Sequence, residues 1–165
     1  MVITELLERN AKLYPTDTAL VEVNPAVKPQ PNQTWREYSL IETTPGGRYR
    51  REMTWKDFDT KANRFANLLL TRNVKKGDKV AILLMNCLEW LPIYFGILKT
   101  GALAVPMNYR YTAEEIRYCA ELADVDVLVF GEEFITRVDA VREKLPRVKN
   151  WFYVGEACPD FADSY

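Results

Sequence analysis

From residue 54 onward, the apolar positions of the chain follow two alternating spacings. Apolar residues three and four apart indicate helices, and unbroken apolar runs indicate strands that are buried on both faces. The pattern predicts helices at 54–69, 88–100, 112–123 and 132–144, and strands at 79–85, 103–105, 126–130 and 151–154. Strands that alternate with helices imply right-handed crossovers between parallel strands. The sequence therefore predicts an α/β fold with a mostly parallel sheet and flanking helices.

The first part of the chain has a less regular pattern. A short helix is predicted at 1–14, with Thr4 as a cap and Leu6, Leu7 and Leu13 facing inward. A strand is predicted at Thr18–Val23, and the proline-rich stretch 24–33 indicates a loop.

Two further runs, 38–44 and 48–54, indicate an antiparallel hairpin around Pro45-Gly46-Gly47, because glycine readily adopts the turn conformation. No element is predicted after Gly155, where the chain has the pattern of a tail or a truncation point. We therefore expect three parts, at 1–53, 54–155 and 156–165.

Composition removes several classes of function. The net charge is −1, which gives no basic field for nucleic acid, and no apolar run reaches the length of a membrane span. The N-terminus lacks the basic segment of a secretory signal, and Cys87, Cys119 and Cys158 form no CxxC pair, so we expect a cytoplasmic protein with reduced thiols. The chain contains no histidine, which excludes Ser-His-Asp and Cys-His catalysis within it.

Two motifs are candidates for ligand chemistry. Gly96 to Gly101 has the GxxxxG spacing of a phosphate loop, but the following Lys and Ser or Thr are absent and a helix ends at Gly101, so a helix cap is the better interpretation. The loop 106–112 follows a strand and precedes a helix, which is where open α/β sheets bind ligands. There, Arg110 and the helix N-terminus could meet an anion. Alternatively, Asn108 turns the chain, Thr112 caps the helix, and Arg110 pairs with Glu114 or Glu115.

The stretches MTWKDFDTKANRFANLLL and KKGDKVAILLMNCLEWLPIYFGILKTGALAVPMNYRYTAEEIRY resemble the first core segments of the adenylate-forming enzymes, the acyl-CoA synthetase and luciferase family. The resemblance covers roughly residues 1–155 and is sharpest between 53 and 131. It implies an ATP-dependent ligase that converts a carboxylate into an acyl-adenylate and then into a coenzyme A thioester, with ATP, Mg²⁺ and CoA serving the parent enzyme.

The same resemblance implies that the chain is an N-terminal portion of such an enzyme. No Ser/Thr/Gly-rich phosphate loop and no lysine-bearing C-terminal domain can be found in the sequence, so no catalytic residue or metal ligand is assigned, and we expect the chain to be inactive alone. In CoA-forming members, the loop after the second segment lies near the CoA nucleotide. This implies a CoA vicinity at Met107, Asn108, Tyr109, Arg110 and Arg137.

Other partners and other functions stay open. The expected partner is the remainder of the parent enzyme, and an exposed apolar surface could also support a homo-oligomer. The alternative hypothesis is a free-standing, non-catalytic α/β module that binds a nucleotide or a protein. The acyl substrate cannot be read from this sequence.

Overall fold

A computed structural model describes residues 2–23 and 50–165. The helices are α1 (Ile3–Leu13), α2 (Trp55–Thr71), α3 (Trp90–Thr100), α4 (Ala113–Leu122) and α5 (Ile135–Arg142). The strands are β1 (Thr18–Val23), β2 (Arg50–Thr54), β3 (Lys79–Leu83), β4 (Leu103–Pro106), β5 (Val127–Gly131), β6 (Asn150–Val154) and β7 (Asp163–Ser164).

Five of the strands form one parallel sheet in the order β4-β3-β5-β6-β7. The strand β3 alternates its side chains between the two faces, as a pleated strand must. Ala81 and Leu83 belong to the core on the side of α4 and α5, whereas Val80 and Ile82 belong to the core on the side of α2 and α3. Both cores are apolar, which accounts for the unbroken apolar run and confirms the predicted α/β class.

Local capping sets the ends of several helices, as predicted for Thr112 and Gly101. The Thr54 hydroxyl accepts a hydrogen bond from Asp57 N at 3.1 Å, and the Thr112 hydroxyl accepts one from Glu115 N at 3.3 Å. Gly101 ends α3 with φ = 79°, a left-handed conformation that glycine adopts at little cost. The reading of the GxxxxG spacing as a helix end is therefore confirmed.

Some boundaries differ from the prediction. The first helix begins at Ile3, so Thr4 lies inside it and is no cap, and Leu13 is 60% exposed instead of facing inward. The helix predicted at 132–144 is divided into a 3₁₀ turn at Glu132–Phe134 and the shorter α5. Periodicity does not separate these two helix types, because both bury residues at similar spacing.

The antiparallel part joins β1 to β2, with Glu22 opposite Arg51. The predicted strand at 48–54 is thus present as β2, whereas its predicted partner at 38–44 and the loop at 24–33 lie outside the described residues. A third, smaller apolar cluster, which includes Leu7, Phe58 and Ala62, packs α1 against α2. Within the described residues, no helix has both the length and the apolar character needed to cross a membrane.

Residues after Gly155 extend the sheet, although the sequence pattern predicts no element there. Strand β7 pairs in parallel with β6. Phe161 stacks on Phe130 with ring centroids 5.8 Å apart, and Arg72 Nη2 donates to Asp163 Oδ2 at 2.6 Å. These contacts attach the last residues to the core. The boundaries of the three predicted parts remain a prediction.

Candidate functional site

The loop between β4 and α4 lies at the carboxyl edge of the sheet, where ligands bind in open α/β folds. Its first residue, Met107, is 8% exposed, and its N–H donates to Ile82 O at 2.9 Å. Asn108 then turns the chain, since its side-chain oxygen accepts from Arg110 N at 2.9 Å and its carbonyl accepts from Tyr111 N at 3.0 Å. The predicted turn at Asn108 is therefore present.

Tyr109 and Arg110 lie on the exposed side of this turn. The Arg110 guanidinium is stacked 5.4 Å from the centroid of the Tyr109 ring, and its Nε donates to the Tyr109 hydroxyl at 3.1 Å. This contact fixes the guanidinium without neutralising its charge. Arg110 thus presents a positive charge at the sheet edge.

The alternative role for Arg110, pairing with Glu114 or Glu115, does not occur in the structure. Glu114 accepts from Arg117 and Lys144, and Glu115 accepts from Thr112 N at 2.8 Å. Within residues 2–23 and 50–165, Arg110 has no acidic partner.

The N-terminus of α4 already holds its own anion. The hydrogen bond from the Thr112 backbone lowers the pKa of Glu115, so this carboxylate is ionised at neutral pH beside the helix dipole. A ligand phosphate would meet Glu114 and Glu115 there. Of the groups in this loop, the Arg110 guanidinium is therefore better suited to an anion than the helix N-terminus is.

Arg137 reaches this loop from α5. Its Nη1 donates to Tyr109 O at 3.1 Å and to Tyr111 O at 2.9 Å, and its guanidinium lies 5.2 Å from the Phe134 ring centroid. The structure thus brings together all five residues of the predicted site. It also shows that two of them face inward: Met107 enters the core and Arg137 holds the loop backbone.

Other basic side chains on α5 and after it have acidic partners. Arg142 pairs with Asp139, Lys144 with Glu114, and Arg147 with Asp126, which supports a charged surface rather than a binding patch. Burial raises the pKa of Cys87 to about 11, so its thiol is a poor nucleophile.

Sequence reasoning missed a cluster of polar side chains at the same edge, namely Glu132, Glu133, Glu156 and Tyr153. The available signal was a glycine directly followed by glutamate at the end of two apolar strands, at Gly131 and Gly155. No three histidine, cysteine or carboxylate side chains are grouped closely enough to hold a metal ion, as far as the structure describes the chain.

The sequence model of the family described as "AMP-binding enzyme" matches residues 7–160. The chain belongs to this family. The predicted resemblance to acyl-CoA synthetases is confirmed by the relatives described next.

The medium/long-chain-fatty-acid–CoA/3-oxocholest-4-en-26-oate–CoA ligase of Mycolicibacterium smegmatis is 35% identical over 109 residues, which are 66% of this chain and 20% of the ligase. The long-chain-fatty-acid–CoA ligase FadD13 of Mycobacterium tuberculosis is 34% identical over 90 residues, which are 54% of this chain and 18% of the ligase. The crystal structure of the anthranilate CoA ligase AuaEII in complex with anthranoyl-AMP superimposes with a TM-score of 0.76 and 27% identity, covering 96% of this chain and 26% of that one. The chain thus spans about one-fifth of the length of the curated relatives.

Proposed function

We propose that the chain is the N-terminal portion of an ATP-dependent acyl-CoA synthetase. In the first step, a substrate carboxylate oxygen attacks the α-phosphorus of ATP, the bond to pyrophosphate breaks, and an acyl-adenylate forms. In the second, the CoA thiolate attacks the acyl carbon and AMP leaves. The observation that carries the proposal is the AMP-binding enzyme match over residues 7–160.

The substrate class follows from the names of the relatives. Two of them are ligases of fatty acids, and one of these also acts on a cholestenoate. We infer that the whole protein acts on a carboxylic acid of the fatty-acid type. Purified full-length protein should form AMP only when both the acid and CoA are present. AMP formation that needs no CoA would contradict the second step.

Within this chain, we assign the CoA vicinity to the loop 107–110. Support comes from the Arg110 guanidinium, which has no acidic partner among the described residues and suits a phosphate of the CoA nucleotide. Tyr109 would orient that guanidinium and Asn108 would shape the turn. Met107 and Arg137 would not contact CoA. They would hold the two ends of the loop in place through their hydrogen bonds to Ile82 O and Tyr111 O.

Titration of the ¹⁵N-labelled polypeptide 1–165 with CoA and with ATP tests this assignment. A single charge-assisted contact contributes about 1.5–3 kcal/mol, so we expect a dissociation constant of about 1 mM or weaker, with CoA preferred. Arg110→Ala should abolish the amide shifts at 108–112, whereas Arg117→Ala, which removes an arginine on the neighbouring helix, should leave them intact. Shifts that persist in Arg110→Ala would move the site elsewhere without affecting the family assignment.

Binding the triphosphate of ATP requires groups that the described residues do not supply. The sequence has no Ser/Thr/Gly-rich phosphate loop whose backbone N–H groups could hold the phosphates. We therefore propose that the polypeptide 1–165 does not form an adenylate by itself.

A further inference from the structure

A cleft of 470 Å³ lies at the carboxyl edge of the sheet, between the segments that follow β3, β5 and β6. Its lining is rich in charge, with the carboxylates of Glu89, Glu132, Glu133 and Glu156 facing the cations of Arg51 and Lys61. We call this site the acidic edge cleft. It is separate from the loop 107–110, which contributes no residue to it.

The negative charge of the acidic edge cleft is largely uncompensated. Arg51 is already engaged, because its Nη1 lies 3.1 Å from Glu22 Oε2 and its Nη2 lies 3.0 Å from Glu89 Oε1. In the part of the chain that the structure describes, Glu132, Glu133 and Glu156 have neither an ion-pair nor a hydrogen-bond partner. Among the described residues, these three carboxylates thus share the cleft with one cation that has no ion-pair partner, Lys61.

A buried hydroxyl gives independent evidence of a ligand. The Tyr153 side chain is fully buried and lines the cleft, yet its hydroxyl has no hydrogen-bond partner among the described residues. Burial, with the nearby charge of Glu132, raises the pKa of Tyr153, so the phenol stays neutral. Leaving such a hydroxyl unpaired in a folded protein costs free energy, which a donor from a ligand would recover.

Two glycines create the space for these groups. A Cβ added at Gly131 would lie 2.8 Å from Glu133 Oε2, and a Cβ added at Gly155 would overlap the Tyr153 hydroxyl. Because glycine has no side chain, the Glu133 carboxylate can approach the backbone at Gly131, and the Tyr153 hydroxyl can approach it at Gly155. The acceptors thus converge on the cleft between β5 and β6.

The chemistry of the acceptors defines the ligand. Within residues 2–23 and 50–165, no three carboxylates are grouped closely enough to chelate a metal ion. Separated carboxylates and a phenol oxygen suit a cation with several N–H donors. We propose that the acidic edge cleft binds a guanidinium or primary ammonium group. This proposal does not depend on the CoA assignment at 107–110.

The first experiment titrates the ¹⁵N-labelled polypeptide 1–165 with methylguanidinium chloride against equal concentrations of sodium chloride. We expect saturable amide shifts at Gly131 and Gly155 with methylguanidinium and none with sodium. The double variant Glu132→Gln/Glu133→Gln should weaken binding about 10-fold, since each charged hydrogen bond is replaced by a neutral one. Equal shifts with both salts, or unchanged affinity in the double variant, would overturn the proposal.

Glu143→Gln is the matched control for these variants, because the Glu143 side chain is 84% exposed and does not line the cleft. It should bind methylguanidinium as the unmodified chain does. Circular dichroism should show that all the glutamine variants keep the fold, since the glutamates they replace are exposed.

Tyr153→Phe tests whether the Tyr153 hydroxyl binds the ligand or stabilises the fold. If the hydroxyl has no internal partner, the phenylalanine variant should bind methylguanidinium several-fold more weakly while its melting temperature stays equal or rises. A clear fall in melting temperature would show that the hydroxyl already has an internal partner and would contradict the proposal.

Two peptides identify the source of the cation. Acetyl-Gly-Arg-Gly-amide should shift the same amides as methylguanidinium, and acetyl-Gly-Gln-Gly-amide should shift none. Affinity for the arginine peptide about 10-fold above that for methylguanidinium, roughly the contribution of one further charged hydrogen bond, would assign the site to a basic side chain of a polypeptide. Equal affinities would assign it to a free small cation. Binding of the glutamine peptide with equal affinity would refute recognition of charge.

Discussion

The conformation of the loop that carries Arg110 depends on one guanidinium from another helix. Arg137 donates from a single nitrogen to the carbonyls of Tyr109 and Tyr111, while its plane lies over the Phe134 ring. A planar guanidinium can satisfy these contacts together, whereas an ammonium offers no flat face for the ring. Arg137 is therefore a positioning residue in the site we propose.

Arg137→Met should destabilise the fold and loosen this loop. The variant keeps the apolar stem but leaves two carbonyls without their donor, so we expect a loss of about 1.5–3 kcal/mol in the free energy of unfolding. Amide hydrogen exchange at 109–111 should become faster than in the unmodified chain. Arg117→Met, which removes exposed surface ion pairs, is the control and should leave that exchange unchanged. Equal exchange in both variants would show that the loop holds its conformation without Arg137.

Sequence and structure agree best at residues whose role is local. The caps at Thr54, Thr112 and Gly101 could be predicted because each acts within a few residues of its own position. The bonds from Arg137 to residues 26 and 28 positions earlier could not, since they depend on how α5 packs beside the loop. For this reason the sequence predicts the turn at Asn108 but not the support that Arg137 gives to the loop.

At the scale of elements, an ion pair with Lys99 holds α1 against the neighbouring helices, in addition to the apolar packing of Leu7. Lys99 of α3 is 9% exposed, and its Nζ lies 2.7 Å from Glu8 Oε1 on α1 and 3.0 Å from Asp59 Oδ1 on α2. Burial would lower the pKa of Lys99, but the hydrogen bonds to Glu8 and Asp59 raise it above its ordinary value. Three helices thus meet at one ammonium group.

This contact should make stability depend on acid pH. The hydrogen bond from Lys99 lowers the pKa of Glu8 below its ordinary value of 4.5, so the contribution of Glu8 is complete above 4.5 and is lost as the pH falls through the lower folded pKa. We expect Glu8→Gln to have a lower melting temperature than the unmodified chain at pH 7. At a pH below the folded pKa of Glu8, the two melting temperatures should be equal. Arg9→Gln, at an exposed position of the same helix that does not contact Lys99, is the control and should show no such convergence. A constant difference at every pH would contradict the ion-pair explanation.

The pair α2 and α3 is held at a close approach by Gly96. A Cβ at this position would lie 2.9 Å from Ala62 O and 3.0 Å from Phe65 Cδ1, both of which belong to the opposite helix. Gly96→Ala should therefore cost about 1–2 kcal/mol in urea unfolding, although alanine favours a helix. Asn67→Ala, at an exposed position of α2, isolates helix propensity and should be neutral or stabilising. Greater stability in Gly96→Ala would show that the helices can separate freely.

At the scale of the whole molecule, strand order decides where the polar groups lie. The alternating pattern predicts a parallel sheet, but it does not predict the strand order, in which β4 lies at one edge and β3, β5 and β6 follow in that order. This order puts the loop with Arg110 at the end of an edge strand and the acidic edge cleft at the ends of central strands. One edge of the sheet thus presents a cationic site and an anionic site, which suit ligands of opposite charge.

The last prediction concerns catalysis by the polypeptide 1–165 itself. Charge that develops on the α-phosphate during adenylation needs preorganised donors or a metal ion. Within the described residues, Arg110 is a single cation at an exposed turn, and the acidic edge cleft would repel a triphosphate. We therefore expect no carboxylate-dependent exchange of labelled pyrophosphate into ATP by pure polypeptide 1–165, while the full-length protein supports it. Exchange by the short polypeptide, absent in Arg110→Ala, would show that the chain adenylates alone and would disprove its proposed inactivity.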